Sequence, residues 1–135
     1  MPKSVEIRRV AGGVHVAPDS KGWGPDRDPD EWRILIRLTD TPNQAWRSAW
    51  QEVSFPPELE GAHWTFDLDG QEIELWATEE NADTLIRQID DALAHANARC
   101  AELIEEAERK RGEHAARLDE ERLESARFQE KLDRL

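Results

Sequence analysis

The sequence predicts an α+β fold, in which a small, mostly antiparallel sheet of four to five strands carries a short packed helix and precedes a long C-terminal helix. Two observations predict this class. Apolar residues alternate with polar ones in several short segments before residue 80. All six Trp and six of the seven Gly lie in that part, whereas the residues after it contain no Pro. We therefore divide the chain into a Trp-rich α+β domain, residues 1–80, and a long charged helical arm, residues 81–135.

The first segment is predicted to form two short strands and a surface loop. Apolar residues alternate on both sides of Gly12-Gly13, a pattern typical of a hairpin around a glycine turn. Residues 18–31 are dense in Pro, Gly and Asp and lack periodicity, which predicts a loop. Trp23 lies in this loop, where it either folds onto the sheet as a lid or contacts a partner.

A half-buried strand and a short helix are expected next. Strict alternation of apolar side chains from Trp32 to Leu38 predicts the strand. Thr41 before Pro42 is typical of a helix start, with Thr41 as the N-cap. Trp46 and Trp50 then share one face of the helix, which we expect to pack against the sheet.

The clearest local pattern is a second hairpin. Asp69-Gly70 is a favoured two-residue turn, and alternation continues on both sides of it. The implied register pairs Trp64 with Leu75, Phe66 with Ile73, Thr65 with Glu74 and His63 with Trp76. Because Trp76 would lie on the face opposite Trp64, we expect it to be covered by the helix of the arm or by another chain.

The arm begins at Asn81, a plausible N-cap, and carries two apolar stripes. Spacings of three and four residues define the first stripe: Ile86, Ile89, Leu93, Ala96, Cys100, Leu103 and Ala107. It can pack on its own sheet or against a second helix. A shifted stripe then follows: Ala115, Leu118, Ser125, Phe128, Leu132 and Leu135. Gly112 lies at the shift, and the sequence is compatible there with a continuous helix or with a bend or helical hairpin.

The sequence predicts no catalytic, cofactor or metal site. Asp90, Asp91 and His95 lie close together along the arm, but no zinc-type spacing of His or Cys supplies further ligands. Cys100 lies in the apolar stripe, which favours packing over nucleophilic chemistry. We therefore expect no enzymatic activity and no cofactor.

Charge and composition restrict the partners. The net charge of −12 disfavours direct binding to nucleic acid and to anionic membranes. A single Cys allows no internal disulfide, and no apolar run is long enough to span a membrane or to form a signal peptide. The excess of Arg over Lys fits GC-rich bacterial coding. These features predict a cytoplasmic protein whose partners are proteins.

The first functional hypothesis is a non-enzymatic assembly subunit, a small head with a helical arm for self-association, as a dimer, or for docking onto a larger complex. The residues expected to make these contacts are Trp23, Trp76, Ile86, Ile89, Leu93, Leu103, Leu118, Phe128, Leu132 and Leu135. One alternative is an acidic inhibitor or nucleic-acid mimic that occupies a basic groove. Another is an enzyme with a site assembled between subunits, whose first candidates are Arg33, Arg37, His63 and Glu74.

Overall fold

A computed structural model describes residues 4–25, 28–67 and 71–135 and confirms the predicted α+β class. The elements in chain order are β1 (Arg9–Val16), β2 (Glu31–Leu38), α1 (Gln44–Gln51), α2 (Pro57–Glu60), β3 (His63–Asp67), β4 (Glu72–Thr78) and α3 (Ala82–Asp133). Among the described residues, four strands form one antiparallel sheet in the order β1-β2-β4-β3. α1 and α3 pack against each other and against the apolar side of this sheet.

The hairpin of β3 and β4 has the register that alternation predicts. Its pairs are His63 with Trp76, Trp64 with Leu75, Thr65 with Glu74 and Phe66 with Ile73. The apolar members face the core, where Ile73 and Leu75 are fully buried. A slip by one residue would move this whole set to the opposite face. The predicted turn residues Asp69-Gly70 lie outside the described residues.

The predicted first hairpin is wrong. Residues 9–16 form one continuous strand, and Gly12 lies inside it with a φ of 72°. In the pairing with β2, Arg9 lies opposite Leu38 whereas Val14 lies opposite Ile36. Moving five residues along β1, from Arg9 to Val14, therefore corresponds to moving only two residues along β2. The extra residues of β1, which include Gly12 and Gly13, form a bulge rather than a turn. Gly12 tolerates the left-handed conformation because it lacks a Cβ atom.

The helix α1 starts two residues later than predicted. Asn43 is its N-cap, and the Asn43 side chain accepts a hydrogen bond from the backbone N–H of Trp46 at 2.9 Å. The Thr41 hydroxyl instead accepts a hydrogen bond from the Gln71 side chain at 2.6 Å. Asn and Thr are both common N-caps. In this chain Asn43 lies nearer to the first helical turn, and it is the residue that accepts a hydrogen bond from a free backbone N–H of that turn.

Aromatic rings fill the space between α1 and the hairpin of β3 and β4. Trp46 and Trp50 stack with their ring centroids 5.3 Å apart. Phe55 and Phe66 lie within 5.4 Å of Trp50, and Trp64 meets it edge to face at 6.0 Å. Offset and edge-to-face contacts of this kind stabilise a core beyond the area that they bury. This cluster explains how so short a helix holds its place on the sheet.

The helix α3 is continuous over 52 residues and passes through Gly112 without a break. At about 1.5 Å per residue it is about 78 Å long, far longer than the sheet it packs on. A side chain at Gly112 would meet no atom within 4 Å, so the glycine makes no close approach to another element. The bend that the sequence allowed at this position is therefore not present.

Candidate interaction surface

The first stripe of α3 belongs to the core of the head. Ile89 and Leu93 are buried against the sheet, and Ile86 and Leu103 are half-buried beside them. Cys100 is fully buried as a free thiol. The sequence analysis predicts four of these residues, Ile86, Ile89, Leu93 and Leu103, as contacts with another chain. Ile89 and Leu93 have no exposed surface left for such a contact, because they pack within the same chain. Contact by the half-buried Ile86 and Leu103 stays a prediction.

Asn97 connects the three layers of the head. Its side-chain oxygen accepts hydrogen bonds from the indole N–H of Trp46 and from the backbone N–H of Ile7, both at 2.8 Å. Its amide N–H donates to the Ile7 carbonyl at 3.0 Å. Ile7 and Trp46 are both fully buried, so these groups have no access to water. Asn97 thereby fixes α3 to α1 and to the segment before β1.

Sequence reasoning did not single out Asn97, although a signal was present. Asn97 lies four residues after Leu93 and three before Cys100, which places a polar side chain inside the apolar stripe. Buried polar groups need hydrogen-bond partners, so this position indicated a buried network.

An ion-pair cluster marks the point where α3 leaves the head. Arg99 lies 3.2 Å from Glu52, the C-cap residue of α1, and 3.0 Å from Glu102. It also lies 3.5 Å from Glu106, one turn further along α3. The hydrogen bonds that Arg99 donates to the carboxylates of Glu52 and Glu102 raise the pKa of Arg99. Beyond this cluster, every residue from Ala107 to Leu135 is exposed.

The exposed part of α3 carries an apolar stripe on one side. We call this stripe the distal seam, and it consists of Leu118, Glu121, Ser125, Phe128, Leu132 and Leu135. Its four large apolar side chains are between 44% and 98% exposed, and Phe128 is 64% exposed. Successive seam positions are three or four residues apart, which places them on one face of a helix. Four of the sequence-predicted contact residues therefore lie together on an uncovered surface.

One further apolar residue on the arm was not singled out from the sequence. Leu123 is 59% exposed but lies five residues after Leu118, so it points away from the distal seam. A single exposed Leu of this kind is ordinary on a protein surface. Leu123 therefore serves as an internal comparison for the seam positions.

The two Trp residues proposed as contacts have opposite environments. Trp23 is 80% exposed on its loop, whereas Trp76 is only 8% exposed. Gly24 lies against Trp76, since a Cβ atom at Gly24 would lie 3.1 Å from the indole ring. The loop therefore supplies cover that the sequence analysis expects from the arm or from another chain, and Trp76 keeps little surface for a partner. The loop does fold onto the sheet, but its backbone and not the Trp23 ring forms the lid.

Hydrogen bonds hold this loop in place. Ser20 is buried, and its hydroxyl donates to the Ala17 carbonyl at 2.6 Å and accepts from the backbone N–H of Arg33 at 3.0 Å. The backbone N–H of Gly22 donates to the Glu31 carbonyl at 2.9 Å. These bonds join the loop to β2, so Trp23 projects from an anchored segment.

Three of the polar residues that the sequence suggested for chemistry, Asp90, Arg33 and Glu74, form structural ion pairs. Asp90 accepts two hydrogen bonds from Arg9, at 3.1 and 3.0 Å, which raise the pKa of the Arg9 guanidinium. Glu74 lies 2.9 Å from Arg33 on the neighbouring strand and accepts from the Trp76 indole at 3.2 Å. Each carboxylate is thus engaged in joining two elements of the head or two strands of the sheet.

Residues 4–25, 28–67 and 71–135 contain no group of three His, Cys, Asp or Glu side chains placed to hold a metal ion. Within the same ranges, no helix combines the length and the apolar character needed to cross a membrane.

The chain was compared with protein-family models, curated proteins and solved structures, and none of them matches it.

Proposed function

We propose that this protein is a non-enzymatic assembly subunit that associates with a second copy of itself through the distal seam. The observation that carries the proposal is the exposure of α3 from Ala107 to Leu135, with Leu118, Phe128 and Leu132 along one side of it. A helix that packs only on its own head would end near the Arg99 cluster. The additional turns provide a surface whose apolar side a partner helix fits.

The energetics favour a covered seam. Most helical stability in proteins comes from packing an amphipathic face, so covering the distal seam would stabilise the exposed turns of α3. Burying a Leu or Phe side chain stabilises a complex by about 1.5–3 kcal/mol. A dimer would cover up to eight such side chains, four from each copy. This gain is comparable with or larger than the association cost of about 4–15 kcal/mol.

The charge of the arm supports a helical partner of the same kind. Between Glu105 and Leu135 there are ten acidic and eight basic residues, a net charge of −2 out of −12 for the chain. Two such arms repel each other little, and their mixed charges allow ion pairs beside the seam. Direct binding of nucleic acid would require a basic surface, which this composition does not favour. The buried single thiol and the protein-binding role fit a cytoplasmic location.

A second candidate function is an acidic inhibitor that occupies a basic groove. It is favoured by the charge of residues 1–104, which is −10 once the −2 of residues 105–135 is subtracted from −12. The arm itself does not present a continuous acidic row, since basic residues interrupt it. An acidic inhibitor of this type would act through the head and would not need the distal seam.

A seam variant tests the first proposal. In Leu118→Gln/Phe128→Gln/Leu132→Gln the seam loses its large apolar side chains, whereas the control Leu123→Gln changes an exposed Leu on another side. Light scattering of the unmodified chain and of the control should give a mass that rises with concentration toward a dimer. The triple variant should stay at 15.6 kDa with unchanged Trp fluorescence of the head. Equal masses for the triple variant and the unmodified chain at every concentration would overturn the proposal.

A further inference from the structure

We infer that the two arms of the dimer run antiparallel, so that the heads lie at opposite ends of the assembly. This inference rests on the proposed function and specifies the partner's direction. It follows from three features: the residues that face each other across the seam, the charged residues beside it and the distribution of charge between head and arm.

The seam residues form two columns with seven-residue spacing. Leu118, Ser125 and Leu132 form one column, and Glu121, Phe128 and Leu135 form the other. In a parallel pair in register, each seam residue faces its own copy, so Glu121 would face the Glu121 side chain of the other arm inside the apolar seam. In an antiparallel pair, each column faces the other column. Glu121 then lies opposite Leu or Ser, and no like charges meet in the seam.

The residues that flank the seam favour the same direction. In a parallel pair, the residue before the first column approaches the residue five positions later on the partner. This geometry brings Arg117 against Arg122 of the other copy, and Glu124 against the uncharged Gln129. The charged flanking pair of a parallel seam is therefore repulsive, and both of its arginines are exposed. An antiparallel arrangement does not force Arg117 and Arg122 together.

The heads carry most of the charge. The residues before Glu105 have a net charge of −10, whereas those from Glu105 to Leu135 have −2. Parallel arms would hold two acidic heads side by side at one end. Antiparallel arms separate them by about 55–65 Å along the helix axis, which is several Debye lengths at physiological salt. Like charges at that distance are screened.

Distances between spin labels at two positions distinguish the directions. Arg109→Cys places a label on an exposed position near the head, and Leu123→Cys places one close to the middle of the seam segment. Cys100 is fully buried, so the unsubstituted chain should take up no label. For antiparallel arms with the two columns opposite each other, the two labels at position 109 should be about 45–55 Å apart. For parallel arms they should be within about 25 Å.

The label at position 123 serves as the control: it lies near the middle of the paired segment but on the outer side of each arm, so the two labels should be about 25–30 Å apart in either direction. A long distance at position 109 with a short one at position 123 supports the antiparallel arrangement. Short distances at both positions would overturn it and leave the dimer itself intact. No distance between labels at either position, with a mass of 15.6 kDa, would overturn both the direction and the proposed self-association.

Discussion

The indole N–H of Trp46 donates a 2.8 Å hydrogen bond to the side-chain oxygen of Asn97, joining the two helices of the head inside its core. The same oxygen accepts from the backbone N–H of Ile7, so one side chain satisfies donors from two elements. A buried donor that has lost its partner can bond neither to water nor to protein, so its full desolvation penalty lowers the stability of the fold. The position of α3 on the head therefore depends on Asn97 as well as on its apolar stripe.

Asn97→Ala is expected to destabilise the head by about 2–4 kcal/mol, because it leaves buried groups of Trp46 and Ile7 without partners. Urea unfolding followed by Trp fluorescence measures the change. His95→Ala, on the exposed side of the same turn, is the control and should change stability by less than about 0.5 kcal/mol. Equal stabilities of the two variants would show that the Asn97 network contributes little.

Asn43→Ala should destabilise the head by about 1 kcal/mol, since Asn43 caps α1 through the backbone N–H of Trp46. Thr41→Ala removes only an exposed contact with Gln71 and should cost less. Thermal unfolding of both variants by circular dichroism compares the two positions. If Thr41→Ala lowered the melting temperature more than Asn43→Ala, Thr41 would be the N-cap, as the sequence alone predicts.

Gly24→Val should destabilise the head by about 1–3 kcal/mol, because a branched side chain at this position collides with the Trp76 ring. Gly24→Ala adds one methyl group, which the ring can accommodate by a shift of a few tenths of an ångström, and should cost less. Urea unfolding measures the free energy of unfolding of both variants, which should fall further for Gly24→Val than for Gly24→Ala. Stability that is unchanged by either substitution would contradict the contact between the loop and Trp76.

Gly112→Ala should stabilise α3 by about 1 kcal/mol, since the helix is continuous there and no atom lies within 4 Å of the new methyl group. The ellipticity at 222 nm during heating reports the helical content of the arm. Arg111→Ala, at the preceding exposed position, controls for a general effect of alanine. If Gly112→Ala lowered the helical content and Arg111→Ala did not, α3 would be bent at Gly112.

Alternation was sufficient to predict the hairpin of β3 and β4 because one of its faces is buried. Trp64, Phe66, Ile73 and Leu75 reach the core only in a single register, and the observed pairs match it. The same reasoning failed for β1. Gly12-Gly13 is compatible with a turn and with a bulge, and the choice depends on pairing with β2, which is distant in sequence.

At the candidate surface, too, sequence spacing alone did not show which residues of the same chain would cover an apolar side chain. The spacing of Ile89 and Leu93 is the same whether they pack on a sheet or on another helix, so only the fold could place them in the core. Trp76 needed cover, but its contact with Gly24 depends on a loop without periodicity. The exposed seam around Phe128 was predictable because the stripe extends beyond the length that a small head can bury.

The central claim is that the distal seam joins two copies of this chain. Sedimentation equilibrium of the unmodified full-length chain, from low micromolar to submillimolar concentration, tests it most directly. The account predicts a mass that rises from 15.6 kDa to twice that value as concentration increases. A mass of 15.6 kDa across the whole range would contradict it.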